Sequence, residues 1–158
     1  MDKQRTILFV CTGNTCRSSM AEALMRHKLE ERNIGPHEIN ILSAGTGAYD
    51  GCPASPRATA VLKSKHIDLS SHRSRRLTPS LIQEADYIFT MTMIQKQQVL
   101  FLDPGAEKKT YTLREFIFPH GLSDVNIDDP YGGDEERYQK CAEELEAAIE
   151  RLIEKVIC

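Results

Sequence analysis

Ile7-Leu8-Phe9-Val10-Cys11-Thr12-Gly13-Asn14-Thr15-Cys16-Arg17-Ser18 is the stretch on which the fold turns. Its first four residues are apolar and β-branched, aromatic or leucine, the composition of a short strand buried on both faces. A polar loop follows. Residues 18–31 then place Ala21, Leu24, Met25 and Leu29 on one helical stripe. The passage is strand, loop, helix, with the loop leaving the carboxyl end of the strand.

The rest of the chain repeats that alternation. Residues 39–42, 87–90 and 110–113 read as further buried strands. Between them, Ser55-Pro56 starts a helix over 56–65 with an N-cap and a proline in the first turn. Thr78-Pro79 repeats that signal ahead of Leu81 and Ile82, and residues 92–102 form another helix, stopped by Asp103-Pro104-Gly105. Residues 135–157 carry Tyr138, Cys141, Leu145, Ala148, Ile149, Leu152 and Val156 at helical spacing. Alternating strands and helices predict an α/β three-layer sandwich, a parallel sheet with helices on both faces. Ligands of such sheets bind at the carboxyl ends of the strands, where the strand order reverses.

Composition narrows the function classes. The 158 residues are 41% hydrophobic and 27% charged, which suits one soluble domain over 1–158 and excludes disorder. No apolar run is long enough to span a bilayer. Met1-Asp2-Lys3-Gln4-Arg5 leads into too short an apolar segment for a secretory signal. A net charge of −3 gathers no nucleic acid; the basic stretch of Lys63, Lys65, Arg73, Arg75 and Arg76 reads as a solvated face or a rim for phosphorylated protein. The five cysteines, Cys11, Cys16, Cys52, Cys141 and Cys158, are odd in number and irregularly spaced, so free thiols in a reducing cytoplasm are expected. No cysteine–histidine set has zinc-ligand spacing, and neither metal nor cofactor is expected.

The loop after the first strand has a chemical logic. Five residues separate Cys11 from Arg17, enough for backbone N–H groups to curl into a nest for an oxyanion. The following helix adds unsatisfied N–H groups and a positive dipole end. Gly13 and Asn14 are the types that take left-handed backbone angles most readily. Arg17 would fork two hydrogen bonds onto phosphate oxygens. Cys11 would lie at the base of the cradle, among donors that favour a nucleophilic thiolate, with Ser18 donating to its sulfur. Near the other end, Asp128-Asp129-Pro130-Tyr131-Gly132-Gly133 offers a carboxyl group to act as acid and then base; Asp129, stiffened by Pro130, is the candidate and Asp128 the runner-up.

Cys11 through Ser18, together with Asp129-Pro130-Tyr131, resembles the low-molecular-weight protein tyrosine phosphatase family over essentially the whole chain. The resemblance implies a flavodoxin-like, four-stranded parallel sheet in the order 2-1-3-4, and a monomer acting on phosphorylated proteins. It implies a phosphocysteine on Cys11, phosphate bound by Arg17 and the amides of residues 12–18 (Thr12, Gly13, Asn14, Thr15, Cys16, Arg17, Ser18), and acid–base work by Asp129. It also implies that Ser43 and His72 pin Asn14, and that Cys16 forms a reversible disulfide with Cys11 under oxidation. Packing is the alternative role for Cys16, and a surface or cap position the alternative for His72.

Thr15 bears on specificity. Tyrosine-directed members of the family usually carry a bulky aliphatic residue there, whereas the protein-arginine phosphatase branch has the Cys-Thr-Gly-Asn-Thr-Cys-Arg-Ser of this chain. A hydroxyl would bond a guanidinium or orient water. Tyr49 and Tyr131 would equally flank a phosphotyrosine ring. Arginine is the favoured reading and tyrosine the alternative; a thiol-coupled arsenate reductase, a phosphocarrier and a non-catalytic phosphopeptide-binding module are the remaining rivals.

Overall fold

The computed structural model describes residues 4–118 and 124–157; Met1–Lys3 and Cys158, which entered the leader and thiol readings, lie outside them. Strand β1 (Arg5–Cys11) is central, with β2 (Ile39–Gly45) parallel on one side and β3 (Tyr87–Thr90), then β4 (Thr110–Thr112), parallel on the other. The order is β2-β1-β3-β4, so the chain reverses its direction of travel across the sheet between β1 and β3.

Alternation along β1 divides the core between two faces. Ile7, Phe9 and Cys11 point into the larger cluster, Leu8 and Val10 into the smaller. The larger face is covered by α1 (Arg17–Glu31), α2 (Pro56–Ser64), α5 (Leu113–Ile117) and α6 (Glu135–Val156). The stripe expected on α6 is the buried one: Tyr138, Cys141, Leu145, Ala148, Ile149 and Leu152. The smaller face is covered by α3 (Pro79–Glu84), α4 (Met93–Leu102) and the 3-10 turn Pro104–Lys109. Both faces are thus layered with helices.

Several boundaries differ from the sequence reading. Strand β1 includes Cys11 itself, which pairs with Gly45, so the nucleophile candidate is held by the sheet rather than by the loop. Residue 113 was expected in the fourth strand, but Thr112 caps a short helix: its side chain accepts from the Glu115 N–H while the Glu115 carboxylate accepts from the Thr112 N–H. That capping box stops β4 and starts α5 at Leu113. The Asp103-Pro104-Gly105 stop continues as the 3-10 turn, with Asp103 capping it. Among the described residues, no helix is long and apolar enough to cross a membrane.

Candidate active site

Cys11 ends β1 at the reversal of strand order, with its side chain buried under the loop. Its Sγ lies 2.9 Å from Ser18 Oγ and accepts the Asn14 backbone N–H at 3.2 Å. The direction of the serine contact follows from its other partner. Asn14 Nδ2 donates to Ser18 Oγ at 2.8 Å and to Ser43 Oγ at 2.9 Å. Among the described residues the sulfur is the one acceptor in reach of the Ser18 hydroxyl, which therefore turns its O–H to it. Ser43 in turn donates to Glu22 Oε1 at 2.6 Å. The Asn14 N–H and the Ser18 O–H thus both point at the Cys11 sulfur, while the Ser43 O–H ties the Asn14 side chain back to Glu22.

Asn14 is the strained residue, at φ 58° and fully buried. Its side-chain oxygen accepts the Arg75 N–H at 2.9 Å, and His72 Nε2 donates to its carbonyl at 2.6 Å. These bonds hold a conformation that an isolated asparagine would occupy only part of the time. The contacts expected of Ser43 and His72 are both present. Gly13 is a correction: its φ is not positive, and a Cβ there would meet Thr15 Oγ1 at an unstrained 3.6 Å. The glycine the loop requires is Gly45, where a Cβ would collide with the Thr12 carbonyl and reach 3.0 Å from the Asn14 nitrogen. The sequence reading missed it; only its position at the end of a strand beside Cys11 reveals the need.

Arg17 opens α1, at the helix's first position, and is 5% exposed. Its Nη1 donates to the Ile127 carbonyl at 2.9 Å, and its Nη2 lies 3.5 Å from Asp129 Oδ2. The Nε–Nη2 edge is left to fork onto an oxyanion. Cys16 is the N-cap of α1 and supplies no side-chain hydrogen bond, so the first-turn N–H groups remain available. The Cys16 thiol instead meets Tyr138 Oη at 3.3 Å and Ser55 Oγ at 3.5 Å. Burial and the Cys16 contact push the Tyr138 hydroxyl up to about 12, and burial does the same to the Cys141 thiol. Cys11 and Cys16 are both free thiols here.

A pocket of about 220 Å³ is lined by Cys11, Thr12, Gly13, Thr15, Cys16, Arg17, Asp129 and Tyr131. Asp129 is half exposed at its mouth, with Oδ1 accepting the Tyr131 N–H at 3.0 Å. Its neighbour Asp128 does not line that pocket; it borders a second hollow of about 240 Å³, which Asp129 also lines together with Arg137, Lys140 and Cys141. Tyr131 belongs to the pocket; Tyr49, 80% exposed on the turn after β2, does not line it. Thr15 Oγ1 has a single side-chain contact, the Cys16 sulfur at 3.9 Å, and is otherwise open to the pocket. A larger polar hollow of about 540 Å³ is lined by Ser43 and His72 among others, and no cysteine lines it. Two supports were invisible in the sequence: the Ile127 carbonyl on Arg17, and Gln95 Nε2, which donates to Thr12 Oγ1 at 3.1 Å.

A thiol in a ring of donors, a half-bound guanidinium and a carboxyl group at the mouth define a cysteine-dependent hydrolase of phosphorylated groups. Residues 6–157 match the family described as low molecular weight phosphotyrosine protein phosphatase, and the chain belongs to that family. It is 41% identical over 150 residues to a protein-arginine-phosphatase of Geobacillus stearothermophilus, covering 95% of each chain. The crystal structure of a low molecular weight protein tyrosine phosphatase from T. tengcongensis superposes with a TM-score of 0.88 at 39% identity, covering 96% of this chain and 99% of that one. A YwlE arginine phosphatase mutant with a phosphorylated active-site serine superposes equally well, with a TM-score of 0.88 at 36% identity over 96% of this chain and 95% of that one. The chain is a phosphatase of a family whose named members act on phosphorylated proteins.

Proposed function

We propose that this chain removes the phosphoryl group from phosphoarginine in proteins, through a phosphocysteine on Cys11. The Cys11 thiolate attacks phosphorus in line with the P–N bond while the loop amides and Arg17 hold the equatorial oxygens. Asp129, as the carboxylic acid, gives its proton to the departing guanidinium nitrogen. The resulting carboxylate takes a proton from water, whose oxygen attacks the phosphocysteine. Phosphate leaves with the new P–O bond, and the electron pair returns to sulfur, which the Ser18 O–H receives.

Thr15 carries the choice of substrate. Its hydroxyl faces the pocket with only a weak sulfur contact, so it is free to accept from a guanidinium N–H. An isoleucine there would leave that N–H unpaired, and buried unpaired groups discriminate strongly. The names of relatives in both branches are compatible with either substrate. Phosphotyrosine is the second reading, favoured by the Tyr131 ring on the pocket wall.

Turnover of matched peptides that differ only in phosphoarginine or phosphotyrosine tests the proposal, with Cys11→Ser as the inactive control. The expected kcat/KM ratio favours phosphoarginine, and Thr15→Ile moves it at least about tenfold toward phosphotyrosine. A native preference for phosphotyrosine, or a ratio that Thr15→Ile leaves unmoved, removes the proposal.

A further inference from the structure

Among the described residues, five large apolar side chains are strongly exposed: Tyr49, Ile94, Phe101, Leu102 and Tyr131. Tyr131 lines the catalytic pocket. Ile94, Phe101 and Leu102 share a separate groove of about 360 Å³ along α4, closed on its far side by Thr46, Arg76 and Leu77. Phe101 is 86% exposed and Ile94 68%, on a helix whose opposite face is already packed on the sheet through Val99. Clustered exposure of this kind marks a binding surface rather than ordinary surface scatter.

Both walls of the groove are fastened to the catalytic loop. On one side the Thr46 N–H donates to the Cys11 carbonyl at 2.9 Å and the Gly47 N–H to the Thr12 carbonyl at 3.0 Å. On the other, Gln95, next to Ile94 on α4, donates to Thr12 Oγ1. Both walls are thus anchored at the loop, and Thr12, which Gln95 and Gly47 hold, itself lines the catalytic pocket. The Thr46 hydroxyl in its wall is buried and has no hydrogen-bond partner among the described residues. Its single ionisable lining residue is Arg76, and none is acidic, which suits an apolar occupant with neutral or acidic surroundings.

We propose that this groove binds an apolar side chain of the substrate protein, a few residues from the phosphorylated one. Ile94 and Phe101 are seven positions apart, about 10 Å along the helix, a span that roughly three residues of extended chain would cover. The groove then selects substrates by a hydrophobic residue at a fixed offset, while the 220 Å³ pocket reads the phosphorylated side chain itself. The proposal rests on the phosphatase reading in that its occupant is the substrate.

Ten-residue peptides with one central phosphorylated residue, and a single leucine walked through the flanking positions on a glycine–serine background, test it. At one or two offsets leucine is expected to lower KM about tenfold with kcat unchanged. The double variant Ile94→Ser/Phe101→Ser loses that gain and still hydrolyses para-nitrophenyl phosphate at the parent rate. A leucine effect absent at every offset, or one that survives the double variant, overturns the proposal. So does a double variant that only turns a sedimenting dimer into a monomer, which assigns the face to a second copy of this chain. Equilibrium binding of the same peptides to Cys11→Ser reads the groove without turnover. A parent inactive on para-nitrophenyl phosphate that still shows the leucine gain in binding separates failure of the chemistry from failure of the groove.

Discussion

Strands β1 and β3 end side by side at the centre of the sheet, and each hands the chain to a helix, but the two junctions do opposite things with the helix's free amides. At the β3–α4 junction, Thr92 Oγ1 accepts the Gln95 N–H at 3.2 Å, and Gln95 Oε1 accepts the N–H groups of Met91 and Thr92, each at 3.0 Å. The end is satisfied by its own residues. At the β1–α1 junction the N-cap is Cys16, which caps nothing, and Cys11, Arg17 and Asp129 face the amides left open. Equivalent topology thus yields a closed helix start at one position and an anion cradle at its neighbour. The difference lies in which side chain stands at the cap.

The contrast is sharpest in catalysis. Asp129→Asn removes the proton donor while keeping the side chain's size, and kcat is expected to fall about 10²–10³-fold in steady-state kinetics. An unchanged rate would move the acid elsewhere on the rim. Ser18→Ala deletes one donor to the sulfur, and a loss of about tenfold to a hundredfold in kcat is expected, with a smaller change in KM. At the other junction the effects should reverse. Thr92→Ala is expected to cost about 1 kcal/mol, a fall in Tm of about 2–4 °C, with kcat on an aryl phosphate unaltered. A kcat loss as large as that of Ser18→Ala would erase the distinction between the two ends.

The smallest expected effect concerns pH at the capping box of α5. Burial works against charging Glu115, yet the Thr112 N–H and Lys96 ammonium outweigh it and hold its carboxyl below the ordinary 4.5. The unfolded chain therefore binds this proton more readily than the folded one. The stabilisation is complete above about pH 4.5 and is lost as pH falls through the depressed folded value. Denaturation of Glu115→Gln against the parent should show a stability gap that narrows on acidification across that range. A gap independent of pH would mean that the carboxylate's charge contributes nothing.

Residues 7–18 were legible because their meaning is local: a short apolar strand, a polar loop leading into a helix, and a cysteine and an arginine at either end of that loop. The pairing of Asn14 with Ser43 and His72 was legible only through family resemblance, since the contacts span 29 and 58 positions of chain. Which of the two candidates takes the left-handed turn has a similar origin. Glycine and asparagine both tolerate positive φ, and only the surrounding bonds put the turn at Asn14 rather than Gly13. Leu113 was assigned to a strand because apolar composition outweighed the Thr112–Glu115 capping signal, which four residues suffice to write.

The sequence by itself determined the strand–helix alternation, the nucleophile loop and the candidate acid, because periodicity and spacing along the chain encode them directly. The tertiary structure alone decided which atoms hold those groups. The Ile127 carbonyl on Arg17, the close approach of Gly45 to Thr12, the presence of Asp129 and not Asp128 in the Cys11 pocket, and the groove between α4 and Thr46 all depend on segments far apart in the chain. Backbone carbonyls and missing Cβ atoms have no residue-type signature; they acquire a role only when folding brings a partner within reach.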